Sequence, residues 1–422
     1  MKTNLMRRLL KPYNITIITM MMSFVAWLLP FNGRKGFILR ESMSFYTVLV
    51  IILWYGLIYF STRLGFSIGL KVPKINCLEV INEKKAYHYI TVVAFIGVFF
   101  TYSSIFAINN SVIVLIFSNK DSANLLKYIL YQNYSSGLFT FRYASIISGG
   151  IALYHILMKK IAVLDIINLI FLLGTAFISS RMSVLISLLL GFSMYIKDIK
   201  YISLKKILIV LSLLFMLLTV LNYYRNRSYY ISNYNIKNPV LMNISEILTY
   251  LGAPFQVSVG VANQFLLGID PSINKSEALV LMSEPSFLQK GENIVFNDNW
   301  YRNYVDVDNT LTTNSAFASL YGALGQLSFI YISWVVFIFG LLSSWLSKYK
   351  SITFLGGYII IYCYAELWRI FLFNQGIIIF LILLILLMAL VPNFIIKIKK
   401  PSLTRRILLR HDIMTSYNGL KK

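Results

Sequence analysis

Charge is scarce in this chain, and what there is leans to one sign: 13% of the 422 residues are charged, with 16 acids against 39 lysines and arginines. Cysteine and histidine are scarcer still. The two cysteines, Cys77 in a polar stretch and Cys363 inside an apolar run, imply no disulfide framework. His88, His155 and His411 are far apart, and none has metal-ligand spacing, so no metal site is expected. The formal net charge of +23 could suggest nucleic acid. The basic residues, however, lie in short clusters between apolar runs rather than in one basic domain, which excludes a nucleic-acid partner and points to topology signals and anionic-lipid contacts.

Apolar side chains are abundant: 58% of residues are hydrophobic, and mean hydropathy is +0.69. A hydrocarbon core about 30 Å thick takes about 20 apolar residues of helix, and such runs recur along the chain. The sequence therefore predicts an all-α polytopic integral membrane protein of about ten transmembrane helices, at roughly 13–31, 43–61, 88–108, 142–158, 161–178, 182–196, 207–223, 316–346, 353–373 and 377–396. Residues 1–422 would form a single membrane domain. The first run has a basic flank but no small-residue cleavage site, so it is expected to be a retained helix. An even count returns both termini to one side, and most of the 39 lysines and arginines then fall in cytoplasmic segments. Arg34, Lys35 and Arg40 dissent from that arrangement.

Residues 224–315 would make a large extracytoplasmic loop or cap between helices 7 and 8. Within it the stretch from Glu246 to Gly268 is moderately apolar but carries Pro254, Gln256 and Asn263, and is expected to be re-entrant or interfacial. A smaller outer segment, Asn109 to Phe141, has helical periodicity and would lie along the membrane surface.

Several charged residues fall on the side that the positive-inside rule disfavours. Arg181, in "FISSRMSVLISLLLGF", tips a helix whose Ser183, Ser187 and Gly191 recur every four residues and permit close packing. Arg225 and Arg227, in "VLNYYRNRSYY", emerge at the same level. Arginine presents a planar, permanently charged fork to phosphate, so these three are the candidate pyrophosphate clamp. Asp306, Asp308, Asn314 and Glu246 are the candidate catalytic groups, with no spacing to choose among the carboxylates. They adjoin a helix start whose Ala318, Gly322 and Gly325 are small. Glu366 and Arg369, three apart, would pair on one helix face within the membrane.

The order of "SSRMSVLISLLL", a further span ending "NYYRNR", a long loop, and "NSAFASLYGALGQLSF" resembles the Wzy-type O-antigen and capsule repeat-unit polymerases, which are related to O-antigen ligases. That resemblance covers roughly residues 140–345. It implies a GT-C-like bundle in the cell inner membrane and a glycosyltransferase of polysaccharide biosynthesis. Such an enzyme would polymerise undecaprenyl-pyrophosphate-linked repeat units into lipopolysaccharide O-antigen or capsule at the outer face, without metal or other cofactor. The partners it implies are the lipid-linked glycan, membrane lipid and a chain-length regulator protein. A flippase or transporter for the same lipid-linked sugar, or an O-antigen ligase, are the competing readings. The ligase relatives carry a loop histidine eleven residues before a glycine; here Asn314 stands at that position before Gly325.

Overall fold

The computed structural model describes residues 3–30, 36–80, 82–108, 137–178, 181–199, 201, 204–289, 299–309, 311 and 315–399. These residues form fourteen α-helices: α1 (Thr3–Leu9), α2 (Pro12–Leu28), α3 (Phe45–Gly69), α4 (Glu83–Ile108), α5 (Ala144–Leu157), α6 (Val163–Ile178), α7 (Arg181–Asp198), α8 (Leu204–Tyr234), α9 (Pro239–Leu266), α10 (Lys275–Ser283), α11 (Ala316–Leu324), α12 (Ser328–Ser347), α13 (Phe354–Glu366) and α14 (Gly376–Lys399). Helix starts follow local chemistry. Ser44 caps α3 by accepting from the Thr47 amide, and Asn238 caps α9 ahead of Pro239, whose missing N–H costs nothing at the first helical position.

Each apolar run that the sequence marks is helical, but the expectation of about ten membrane-spanning helices is corrected. Among the described residues, three helical segments are long and apolar enough to cross a membrane: Phe45–Gly69, Glu83–Ile108 and the run Ala316–Ser347. Pro12–Leu28, Val163–Ile178, Leu211–Tyr224, Phe354–Glu366 and Gly376–Leu390 are shorter apolar stretches. For α13 the reason is geometric. At 1.5 Å per residue, the 13 residues of α13 reach only about 20 Å, against a hydrocarbon core of about 30 Å. The apolar character of α13 serves burial against other helices, as does that of α5: nearly all of α13 and most of α5 are enclosed by neighbouring helices. By contrast, α2, α6, α8 and α14 leave side chains such as Met21, Ile170, Leu213 and Leu387 exposed. The multi-pass inner-membrane topology with both termini cytoplasmic, and the GT-C-like bundle, fall with the ten-span count.

The core is helix packed on helix. α3 and α12 make the most extensive contact. A Cβ on Gly65 would fall onto the Phe337 carbonyl, and one on Gly69 onto the Ser344 hydroxyl and Leu341 carbonyl, so the two backbones touch where glycine leaves room. α5 packs on α6 and α7, with Gly149 and Gly150 against Leu172, Ser187 and Leu190. α9 lies against α2, α3 and α8. The stretch expected to be re-entrant is the body of this 28-residue helix, whose Ala253 to Ala262 face is buried. The run expected as one helix over 316–346 is broken by a 3-10 turn at Gly325–Leu327, where Gly325 has φ +55°. The surface segment expected over Asn109 to Phe141 lies outside the described residues except for 137–141, where the 3-10 turn Leu138–Tyr143 begins.

Candidate functional site

The polar end of α8 gathers four of the candidate residues, Arg225 and Arg227 on the helix itself and Glu246 and Asp308 against it. Asn222, Asn226 and Tyr230 recur every four residues and so share one helix face, which is turned to α9. Asn222 donates to the Asn243 side chain, whose amide nitrogen donates in turn to the Thr219 hydroxyl at 2.9 Å. Further along, the Glu246 carboxylate is buried at 3% exposure and accepts from the Tyr230 hydroxyl and, at 3.3 Å, from the Asn226 amide. A buried carboxylate is tolerated when its oxygens are hydrogen-bonded, and here α8 supplies donors to both. The same stretch reaches the last loop before α11: the hydroxyls of Tyr229 and Tyr234 each donate to Asp308 Oδ2 at 3.2 Å. Arg227 is exposed, its guanidinium 5.0 Å from the Tyr223 ring centre one turn back. Arg225 lies between these residues on α8, and its side chain is outside the described atoms.

Asp306 has a different setting. Its carboxylate accepts from the backbone N–H groups of Ile38, at 2.8 Å, and Leu39, which fastens the segment entering α3 to the loop. Gln256 of α9 braces the same junction, donating to the Leu39 carbonyl at 2.7 Å and accepting from Trp27 Nε1 at 2.7 Å and the Glu41 amide at 3.1 Å. Burial raises the Glu41 carboxyl above its ordinary value, and the Asp306 charge adds to that against hydrogen bonds from the Asp306 backbone and Asn263.

Glu366 and Arg369 form an ion pair at 2.7 Å, and the Tyr362 hydroxyl completes the carboxylate at 2.7 Å. The Arg369 guanidinium sits 5.5 Å from the ring centre of Tyr250, which follows Glu246 by one turn of α9. The pair therefore adjoins the α9 face that carries Glu246. Lys197, near the end of α7, lies 3.9 Å over Phe354 at the start of α13, so these two packed helices run antiparallel. The start of α7, where Arg181 stands, and the end of α13, where Glu366 stands, therefore lie at the same end of the molecule. The side chain of Arg181 is outside the described atoms, as is the whole of Asn314.

One residue at this end escaped sequence reasoning. Arg142 precedes α5, is 1% exposed, and donates to the Phe139 carbonyl at 3.1 Å and the Tyr143 hydroxyl at 2.9 Å. Its carbonyl accepts from Thr175, near the end of α6, so it sits close to that end of the helix. A basic residue at the edge of an apolar run was the available signal, the same one that singled out Arg181. Among the described residues, no three His, Cys, Asp or Glu side chains come together as metal ligands.

No protein-family model, curated protein or solved structure matches the chain. The resemblance to Wzy-type polymerases is corrected on the same ground as the topology: it rested on the order of its motifs within a many-span topology, and the described residues supply three helical segments of spanning length. Repeat-unit polymerisation into O-antigen or capsule, and the flippase and ligase alternatives built on the same bundle, lose their support with it.

Proposed function

We propose that the chain is a glycosyltransferase working without a metal, and that its donor is a sugar carried on a lipid pyrophosphate. The observation that carries this reading is the polar end of α8. Arg225 and Arg227 stand on the same two turns whose tyrosines and asparagine hold Glu246 and Asp308. Nothing in such chemistry requires ten membrane passes.

Glycosyl transfer breaks the bond between the anomeric carbon and a pyrophosphate oxygen, and the electron pair leaves with the pyrophosphate. Fixed cations stabilise that developing charge, and arginine does so with a rigid bidentate fork. The acceptor hydroxyl forms the new bond to the anomeric carbon and gives up its proton to a carboxylate. Asp308 is the better placed of the two, since it is half-buried whereas Glu246 is enclosed. Glu246 then acts by holding α8 to α9. Tyr229 and Tyr234 orient the Asp308 carboxylate.

The test is transfer by purified full-length protein in detergent, with a labelled glycan on undecaprenyl pyrophosphate as donor and a free oligosaccharide as acceptor, in excess EDTA. Product in EDTA that falls by about 100-fold or more in Asp308→Asn is the expected result, in the range of a lost general base. Product that requires an added divalent cation, or an Asp308→Asn enzyme of unchanged rate, overturns the reading.

A further inference from the structure

Residues 36–44 lead into α3 without regular secondary structure, and they lie against both α9 and the loop that carries Asp308. Hydrogen bonds in opposite directions join this strap to that loop. The Gly36 carbonyl accepts from the Asp308 amide at 2.8 Å. Asp306 Oδ2 accepts from the amides of Ile38, at 2.8 Å, and Leu39. Asp306 and Asp308 therefore grip one stretch, 36–39, the first through its side chain and the second through its backbone.

The strap has little freedom of its own. Gly36 has φ +82°, a value that favours glycine, and a Cβ there would stand 3.0 Å from Thr249 and Ala253 of α9 and from Leu311. Gln256 donates to the Leu39 carbonyl at 2.7 Å and Asn263 to the Ser42 carbonyl at 3.0 Å, so α9 fixes the strap up to the start of α3. On the far side of Asp308, Arg302 donates to the Asn309 and Leu311 carbonyls at 2.7 and 2.6 Å. The Asp308 backbone is thus held on both flanks. A loop carboxylate that takes a proton in a transition state needs such support, because a displacement of about 1 Å can cost about 100-fold in rate.

We infer that Asp306 is a positioning residue for Asp308: it holds residues 36–39 so that the Gly36 carbonyl fixes the Asp308 backbone, and with it the carboxylate that serves the acceptor. The chemical part rests on the function proposed above. The coupling between the two aspartates rests on the hydrogen bonds alone.

Two measurements on purified full-length protein in detergent separate these parts. In hydrogen–deuterium exchange, Asp306→Ala should speed exchange over residues 305–309 by about tenfold, the loss of a charge-assisted contact, with residues 253–262 of α9 unchanged. Unchanged exchange at 305–309 overturns the inference whether or not transfer is observed. In the transfer assay, kcat should fall by about 10- to 100-fold in Asp306→Ala with KM for the donor unchanged. Asp306→Asn, which keeps an accepting oxygen, should recover much of that loss. Added to Asp308→Asn, Asp306→Ala should bring no further loss. A multiplied loss in the double variant means that Asp306 only keeps the protein folded, and overturns the inference. Transfer unaffected by Asp308→Asn overturns the proposed function and the chemical part of this inference with it, and exchange still decides the coupling. Should Asp306→Ala not fold, Asp306→Asn is read instead, with exchange expected to rise about threefold and an unchanged rate of exchange overturning the inference.

Discussion

Asp165 illustrates how single polar residues hold this apolar chain in one arrangement. The sequence places it near one end of a helix, with a structural role. It is fully buried and accepts from the Tyr87 hydroxyl at 2.7 Å and the Ala162 amide at 2.8 Å, with His155 Nδ1 at 2.8 Å. Burial alone would raise its carboxyl, but the Ala162, His155 and Tyr87 hydrogen bonds outweigh it and hold the group below its ordinary value. A depressed carboxyl contributes stability that is complete above its unfolded value and is lost as pH falls through the folded one. Asp165→Asn should therefore lower stability by about 2 kcal/mol at neutral pH. The difference in melting temperature from the unaltered protein should narrow as the pH drops below about 4. A difference that stays constant down to that pH, in a thermal melt series, would contradict the role given to its charge. The partners of Glu246 and Asp308 were not legible in the sequence, because Tyr229, Tyr230 and Tyr234 look like ordinary interfacial tyrosines until the fold places them on those carboxylates.

Among the elements, the positions of the helices were legible and their lengths and surroundings were not. Hydropathy marks α13 as strongly as α4, yet one has 13 residues and the other 26. Periodicity does not say whether an apolar face meets lipid or another helix. The break at Gly325 hides inside an apolar run for the same reason; its Cβ would meet the Asp270 carboxylate, a contact between segments 55 residues apart that no local pattern announces. The small residues of α7 were legible as a packing face, and Ser187 and Gly191 do meet α5. The most extensive contact, between α3 and α12, gives the clearest test of such packing. Gly65→Ala places a methyl against the Phe337 carbonyl, and should cost about 1 to 3 kcal/mol in unfolding experiments. Gly56→Ala on the same helix meets open space and should be neutral or slightly stabilising. Equal effects at the two glycines would show that the contact is not close.

Taken whole, the molecule separates its polar functions by end. At one end stand Glu366 with Arg369, Glu246 with the polar turns of α8, and the start of α7 with Arg142 beside it. The other end carries Tyr154 donating to Asp198, Lys197 on the Lys350 carbonyl, and Arg7 on the end of α7. Net charge and hydropathy together predicted ten passes, and the described residues supply three segments of spanning length. α9, from the middle of the 224–315 stretch, is one of the most buried helices, because its small and apolar residues fill the space between α2, α3 and α8. The central claim is that cations on α8 hold a pyrophosphate while the carboxylate held by the tyrosines of the same stretch serves the acceptor. It is tested most directly by the affinity of purified protein for a glycan on undecaprenyl pyrophosphate, compared across Arg227→Ala and Asp308→Asn. Loss of one charge-assisted contact should weaken binding about tenfold or more in Arg227→Ala, and leave it nearly unchanged in Asp308→Asn. Equal affinity in the unaltered protein and Arg227→Ala would contradict the account.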